Sequence, residues 1–463
     1  MSAFQSFLNI FSIPDLRKRV VFTFLVLAVY RLGSHVPTPG VDPAAIDAFF
    51  RSSGGSLFGF LDIFSGGALR RLSVFALGIM PYISASIILQ LLTVVWPYLE
   101  KLSKEGEMGR KKITQYTRYG TVLLSFIQAS GIALWLEKQV VPGSGLQLVP
   151  SPGWGFRLMT VLTLTTGTIF IMWLGEQITE RGVGNGISLI IFAGIVVGLP
   201  GAIFGLFQQI RNGTINLLTL VGVLVFMVAI VALIVFVERA QRRIPVQYAK
   251  RVVGRRVYGG QNTYLPLRVN TGGVIPIIFA ISIIQLPSYL ATLIGADWTM
   301  KVANSLGQGQ PLYVVLYALG IIFFCYFYTS IVFNPTDTAD NMRKYGGFIP
   351  GIRPGKKTAD YIDTVLSRLT IIGALYLTFV ALLPDFLSRG FRFASLPWIG
   401  AGLEAALPRF FSEGFGFDFY FGGTSLLIIV GVAMDTVQQV ESKLVEHHYA
   451  GFLKKSRVRG RRS

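Results

Sequence analysis

Cysteine and histidine are scarce in this chain of 463 residues. The sequence has one cysteine, Cys325, and three histidines, which are His35, His447 and His448. A single cysteine cannot close an intrachain disulfide and cannot build a zinc site of the cysteine type. With so few histidines, little is left for a metal centre or a His-dependent catalytic site. We therefore expect no catalytic residue, no metal site and no cofactor.

Charged residues are also few, and those of negative sign are the fewest. Only 14% of the residues are charged, against about 25% in a typical soluble domain, while 52% are hydrophobic and the mean hydropathy is +0.58. These values exclude an ordinary soluble globule, and an aromatic content of 13% excludes a disordered chain. Lys and Arg outnumber Asp and Glu by 42 to 23. An apolar chain with this excess is typical of a membrane protein with basic cytoplasmic loops, or of one that binds an anionic partner.

Ten segments are long and apolar enough to cross a bilayer as helices, which takes about 20 residues each. They lie at about 20–38, 72–95, 114–136, 154–176, 186–207, 216–237, 272–294, 312–333, 365–385 and 422–441. The first follows Arg17, Lys18 and Arg19 but is long and lacks a small-residue cleavage site, so we interpret it as a retained helix. With the N-terminus in the cytoplasm, 31 of the 42 Lys and Arg residues lie on the cytoplasmic side. The positive-inside rule then predicts that both termini are cytoplasmic.

Two of the ten segments are interrupted, as in transport proteins built from inverted repeats. The stretch 57–64 (LFGFLDIF) is too short to cross a bilayer and is followed by 65–67 (SGG) before the second span. We interpret it as a re-entrant half-helix, which must be surrounded by protein or by a water-filled cavity. The seventh span carries Pro276 and Pro287, which bend a helix.

Ionisable residues are nearly absent from the spans. Asp435 is the clear case, and Arg31 lies near the end of the first span. An ion-coupled carrier places several acids or bases at the membrane midplane, and an aspartyl protease needs two carboxylates, so both are poorly supported. The spans offer isoleucine instead, which packs or faces lipid in most cases but can also form a hydrophobic constriction. The isoleucines considered for a constriction are Ile79, Ile83, Ile187, Ile191, Ile278 and Ile428.

Two loops on the predicted cytoplasmic side are strongly basic. The loop 239–268 holds eight cations, with Arg255 and Arg256 near a glycine-rich tip (VVGRRVYGGQ). The next such loop contains GGFIPGIRPGKKTADYI, in which Arg353 lies between two prolines. These charges can simply set topology, or they can form a docking surface for an anionic partner such as ribosomal RNA or an acidic protein. The basic tail at 454–462 can likewise set topology or bind an anionic partner, which in its case can also be anionic lipid.

Seven long stretches, in order and covering nearly the whole chain, match one family. They are RLGSHVPTPGVD (31–42), FSGGALRRLSVFALGIMPYISASIILQLL (64–92), GEQITERGVGNGISLIIFAGIV (175–196), RRIPVQYAKR (242–251), RVNTGGVIPIIFA (268–280), GFIPGIRPGKKTADYI (347–362) and FGGTSLLIIVGVAMD (421–435). On these stretches the chain resembles the SecY family of bacterial protein-conducting channels. The resemblance implies an all-α polytopic membrane fold of ten transmembrane helices, in two pseudo-symmetric five-helix halves around an hourglass pore. It implies no bond chemistry, so we expect no enzyme activity.

The resemblance also implies roles for individual residues. The plug that seals the pore corresponds to about 57–65 and includes Phe60, Leu61, Asp62, Ile63 and Phe64. The pore ring is matched by Ile79, Ile83, Ile187, Ile191, Ile278 and Ile428. The lateral gate, formed by spans two and three against seven and eight, is matched by Ile87, Gln128, Asn270 and Ser282. The surface that meets the ribosome or the SecA motor is matched by Arg255, Arg256, Arg353, Lys356 and Lys357.

The expected organisation follows from the span count and the resemblance. It consists of a cytosolic segment at 1–19, an N-terminal half at 20–207, a C-terminal half at 208–441 with basic cytosolic loops at 239–271 and 335–364, and a basic tail at 442–463. The expected function is a channel of the bacterial plasma membrane that translocates unfolded secretory polypeptides and releases transmembrane segments sideways into lipid. The implied partners are the small subunits SecE and SecG, the SecA ATPase, the ribosome, signal-bearing preproteins and anionic lipids. An ion-coupled secondary transporter is the alternative.

Overall fold

The computed structural model describes most of the chain as two compact units. The described residues are 13–52, 62, 65–140, 147–212, 217–248, 251–253, 256–258, 262–294, 299, 301–302, 305–307, 310–389 and 423–455. The expected functional residues that lie outside them are Phe60, Leu61, Ile63, Phe64 and Arg255. Unit 1 comprises Met1–Thr214, Pro287–Lys301 and Val432–Ser463, and unit 2 comprises Ile215–Leu286 and Val302–Gly431.

Unit 1 is built from helices. In chain order these are α1 (Pro14–Gly33), α2 (Pro43–Ser52), α3 (Met80–Val95), α4 (Pro97–Lys104), α5 (Glu107–Lys138), α6 (Trp154–Arg181) and α7 (Gly186–Arg211). Prolines begin α1, α2 and α4, where a helix has no intrahelical partner for its first N–H groups. At Trp96 the backbone is extended, as the residue before a proline prefers, and α4 therefore turns away from α3 by 99°.

Unit 2 combines helices with short strands. Its elements, in chain order, are α8 (Leu217–Arg239), β1 (Gln241–Tyr248), β2 (Arg251–Val253), β3 (Arg256–Tyr258), β4 (Asn262–Arg268), α9 (Ile275–Ile294), α10 (Pro311–Val332), α11 (Pro335–Lys344), β5 (Gly347–Phe348), α12 (Lys356–Arg389) and α13 (Gly423–Lys455). The last residues of α9, from Pro287, and those of α13, from Val432, belong to unit 1. The strands lie between α8 and α9 and between α11 and α12, where the sequence predicted only basic loops.

All ten segments predicted as spans contain a helix. Within the described residues, six helices are long and apolar enough to cross a membrane, or seven if α3 and α4 form one broken span. The predicted all-α polytopic membrane fold is confirmed, with the short strands as an addition outside the spans. Helix α1 carries the cluster Arg17–Arg19 in its first turns, so its apolar stretch is shorter than the helix itself.

The predicted start of the second span is wrong. The apolar run from Leu72 was expected to be helical, but the chain forms successive turns until α3 begins at Met80. This segment instead pairs with the chain after α1, because Thr38 N–H donates to the Leu72 carbonyl at 2.9 Å and Val74 N–H donates to the Val36 carbonyl at 2.9 Å. Residues 34–38, predicted to end the first span, likewise lie beyond the end of α1.

A small antiparallel sheet joins the two basic loops of unit 2. Strand β1 lies between β4 and β5, so a strand of the loop after α8 pairs with one that follows α11. Strands β2 and β3 form a separate hairpin. The three-stranded sheet covers an apolar core whose buried members are Ile244, Val246, Leu267, Met342, Ile349 and Ile362. Because side chains from both loops share this core, the loops form one packed module within unit 2.

Candidate functional site

Four of the isoleucines expected at the constriction belong to unit 1. Ile79 and Ile83 lie at the start of α3 and are only 2% and 6% exposed. Ile187 and Ile191 lie in the first turns of α7, where Ile191 is buried and Ile187 is half-buried. The side chain of Asn185 caps this helix by accepting the N–H of Ile187 at 3.1 Å. The cap therefore fixes where α7 begins and so determines the positions of Ile187 and Ile191 on its first turns.

Two glycines bring the end of α6 against the start of α7. A Cβ added to Gly186 would overlap the carbonyl oxygen of Gly175 and would lie 2.8 Å from the Cβ of Ile178. A Cβ added to Gly175 would lie 2.7 Å from the Cδ1 of Ile187. The position of Ile187 thus depends on the absence of a side chain at both glycines. Sequence reasoning missed them because nothing in the pattern distinguishes two contact glycines among 51.

The other two isoleucines belong to unit 2. Ile278 on α9 is 9% exposed, and Ile428 on α13 is completely buried. A Cβ added to Gly431 would lie 2.6 Å from the Cγ1 of Val274, so α13 passes close to the start of α9. The Ser282 hydroxyl donates to the Ile278 carbonyl at 2.8 Å, a bond within α9. The arrangement of all six isoleucines as one ring stays a prediction.

The expected gate residues are buried polar or apolar side chains in both units. In unit 1, Ile87 is 1% exposed, and the side-chain oxygen of buried Gln128 has no hydrogen-bond partner among the described residues. In unit 2, the side-chain nitrogen of buried Asn270 donates to Glu238 Oε1 at 2.7 Å. It also donates to a backbone carbonyl three residues further on, at 3.1 Å. Sequence reasoning missed Glu238, whose position at the end of α8 was counted only as a loop charge.

Asp62 is the predicted plug residue that falls within the described part of the chain. Its carboxylate accepts the backbone N–H of Arg70 at 2.8 Å and the Ser65 hydroxyl at 3.3 Å. Its carbonyl accepts the N–H of Gly67 at 3.0 Å. Burial raises the pKa of the Asp62 carboxyl above its ordinary value, and the hydrogen bonds from Arg70 and Ser65 oppose that shift. Asp62 therefore stabilises the turn that follows the predicted plug.

The described docking residues lie on the module formed by the two basic loops. The side chains of Arg353, Lys356 and Lys357 are exposed in and after a turn whose Arg353 carbonyl accepts the Thr358 hydroxyl at 2.9 Å. Arg256 lies in β3. Further exposed cations of the same loops, which the sequence reasoning did not single out, are Arg242, Arg243, Arg268, Arg343 and Lys344.

Comparison with known proteins decides the family. The SecY family model matches residues 73–437, which is most of the chain. The chain belongs to the SecY family. It is 50% identical over 452 residues to the protein translocase subunit SecY of Pseudomonas aeruginosa, covering 97% of this chain and 95% of the relative. It is 51% identical over 451 residues to the protein translocase subunit SecY of Escherichia coli strain K12, covering 96% of each.

Solved SecY-family structures share the fold. The structure of a protein conducting channel matches with a TM-score of 0.62 at 17% identity, covering 93% of each chain. Sec61 in the canine ribosome-channel complex matches with a TM-score of 0.59 at 16% identity, again covering 93% of each chain. At these identities the likeness establishes the SecY fold, including the predicted polytopic helical architecture.

Proposed function

We propose that this chain is the channel subunit of a protein translocase, which moves unfolded secretory polypeptides across the plasma membrane. The observation that carries this proposal is the identity of about half of all residues with named translocase subunits over nearly their full length. The same relatives argue against the alternative of an ion-coupled secondary transporter. The low content of ionisable residues in the spans agrees, because a carrier needs polar groups at the midplane.

The constriction of this channel is proposed to consist of Ile79, Ile83, Ile187, Ile191, Ile278 and Ile428. Isoleucine makes no hydrogen bonds, so it would not retain a passing polypeptide, while an apolar ring blocks ions by excluding water. The segment at about 57–65 is proposed to close the pore as a plug. In one solved SecY structure of this fold, the plug domain stabilises the closed state of the translocation channel and maintains a membrane seal.

Gln128 and Asn270 are proposed polar members of the lateral gate, with Ile87 and Ser282 beside them. An arriving apolar signal segment gains free energy on transfer into lipid, and this gain biases the gate toward its open state. Gln128 supports a role in the gate because it is a buried polar side chain on α5, the helix that contains the third span of the proposed gate.

Both termini and both basic loops are proposed to be cytoplasmic. The charge distribution supports this orientation, since most Lys and Arg residues lie in those segments. Pairing of β1 with β5 supports placement of both loops on one membrane face. Helices α9 and α10 lie between these strands in the chain, and two crossings of the membrane return the chain to the face from which it started. In unit 1, Leu16, Val183 and Val440 form one apolar cluster, which supports a common face for the start of α1, the chain just after α6 and the middle of α13, where the predicted tenth span ends.

The docking surface for cytosolic partners is proposed to consist of Arg255, Arg256, Arg353, Lys356 and Lys357. A cationic surface steers anionic partners, and ribosomal RNA carries the densest negative charge among them. The ribosome is the partner supported best, since Sec61 matches this fold in a ribosome-channel complex. The SecA motor, the small subunits SecE and SecG, signal-bearing preproteins and anionic lipids are the remaining proposed partners.

Photocrosslinking from the constriction tests the proposed function. A photoreactive residue at Ile191 and a matched probe at Val228, which is 69% exposed on α8, are placed in otherwise identical full-length chains. A secretory precursor is then stalled in membranes that contain the channel and its motor. We expect a light-dependent adduct with the precursor from position 191 and none from position 228. An inserted, folded variant that gives no adduct at position 191 would refute the assignment of this residue to the pore.

A further inference from the structure

The C-terminal end of α1 contacts the chain directly after the predicted plug. The Nη1 atom of Arg31 donates to the Gly66 carbonyl at 2.7 Å, and it also reaches the Ser34 hydroxyl oxygen at 3.2 Å. The Tyr30 hydroxyl donates to the Ser65 carbonyl at 3.3 Å. Both contacts to the turn go to backbone carbonyls, so they fix the path of the chain and do not depend on a side chain of the turn.

The side chains of both donors, Tyr30 and Arg31, are positioned by contacts other than their hydrogen bonds to the turn. The Tyr30 side chain is buried, and its ring stacks on Phe75 with ring centroids 6.0 Å apart and planes 9° apart. Ser34 is also buried, and its hydroxyl donates to the Arg31 carbonyl at 2.7 Å, so it is oriented to accept from the guanidinium. A Cβ added to Gly33 would overlap the Phe75 ring, which shows how closely α1 approaches this segment.

The turn itself has little room to shift. Gly66 and Gly67 have φ angles of +67° and +83°, in the left-handed region that glycine adopts readily. A Cβ added to Gly66 would lie 2.9 Å from the Cα of Gly194 on α7. The turn therefore contacts α7 through Gly66, and α1 holds it through the two hydrogen bonds. Asp62 closes the same turn from the plug side through its bond to the N–H of Arg70.

We propose that Tyr30 and Arg31 are positioning residues that anchor the turn directly after the plug segment to the first span and thereby favour the sealed channel. This inference rests on the proposed function, since it assigns a regulatory contact to that channel. When this turn is anchored, the plug segment that precedes it can reach fewer positions. When the hydrogen bonds are removed, the backbone of the turn gains conformational freedom, which favours displaced positions of the plug. Arg31 contributes more than Tyr30, because a charged donor makes the stronger hydrogen bond.

The test compares Arg31→Gln and Tyr30→Phe with the unsubstituted full chain, each reconstituted into vesicles with its small partner subunits. The first measurement is the ion leak of idle channels. The second is the translocation of one precursor with an intact signal and one with a defective signal. We expect the leak to rise about tenfold in Arg31→Gln and about threefold in Tyr30→Phe. Both variants should export more of the defective precursor and translocate the intact one normally.

Arg70→Ala is the matched control on the same turn. It removes a side chain that bridges to Asp47 at 3.2 Å but retains the backbone N–H that Asp62 accepts, so leak and signal stringency should stay unchanged. If the unsubstituted chain translocates no precursor, the proposed function itself is wrong. If it translocates normally and Arg31→Gln leaks no more than the control, only the anchoring role is overturned. Tyr30→Phe keeps the stacked ring, so an unchanged leak in this variant overturns the role even where Arg31→Gln fails to fold.

Discussion

Replacement of Gly186 by alanine should destabilise the protein, although this exchange usually strengthens a helix. Alanine is favoured over glycine within helices by about 0.5–1 kcal/mol. At Gly186, however, the added methyl group would overlap the Gly175 carbonyl oxygen and lie 2.8 Å from the Ile178 Cβ. Because one of the colliding atoms belongs to the backbone, α6 and α7 must separate to admit it. Rotation of a side chain cannot relieve the overlap.

The expected magnitude follows from these contacts. Forcing an extra carbon into a packed contact costs about 1–3 kcal/mol. Gly186 is the first residue of α7, where helix preference offsets little of that cost. We therefore expect the free energy of unfolding to fall by about 1–2 kcal/mol. The same separation would move Ile187, which packs against Gly175, so idle channels of this variant should also leak ions.

Two other glycines of α7 provide matched controls. An added Cβ meets no atom within 4 Å at Gly201 or at Gly205. Gly201→Ala and Gly205→Ala should therefore raise the free energy of unfolding, by up to about 1 kcal/mol. The measurement is denaturant titration of the purified full chain in mild detergent. If Gly186→Ala shifts the unfolding free energy in the same direction as the two controls, the close contact of α6 with α7 is wrong.

Three further predictions concern other parts of the chain. Asparagine at both Ile83 and Ile191 should raise ion leak or relax signal stringency, and a variant with unchanged leak and stringency would exclude these side chains from the constriction. Arg353→Glu should impair motor-driven translocation more than thermal stability, and normal ATP-dependent translocation would contradict its docking role. Glu137→Gln should lower the free energy of unfolding by about 1 kcal/mol, because its half-buried carboxylate accepts the Nε–H and an Nη2–H of the partly exposed Arg157 at 2.8 and 2.6 Å. Glu100→Gln, which breaks an exposed ion pair, should leave it nearly unchanged in the same titration.

Hydropathy alone predicted the ten segments that contain the spanning helices, because a bilayer requires long apolar runs and these can be read directly from the sequence. It failed at 72–79, where apolar side chains are buried against other parts of unit 1 while the backbone forms turns. Burial by protein and burial by lipid require the same residue types, so the sequence could not distinguish them. Leu72 has a φ angle of +41°, a conformation that no propensity scale would assign to leucine.

Residues of the candidate site could be predicted only where one residue type recurs in the spans or where a stretch of the sequence resembles the SecY family. The isoleucines could be named because they recur in the spans and because the family resemblance selects them. Glu238 could not be found, since it meets Asn270 only after the chain has passed through β1 to β4. The contact of Tyr30 with the Ser65 carbonyl spans 35 residues and involves a backbone atom, which carries no signature in the sequence. Such contacts depend on the folded path of the chain.

The sheet between the two basic loops has a consequence for the order of biogenesis. Strands β1 and β4 are separated only by the segment that carries β2 and β3, so they can pair as soon as residue 268 has left the ribosome. Strand β5 begins at residue 347, and synthesis of the intervening chain takes about ten seconds in a bacterium. During that interval α9 and α10 must be inserted, and the apolar face of β1 lacks its final cover. A nascent chain that inserted only one of these two helices would carry β5 to the opposite face of the membrane, where it could not pair with β1.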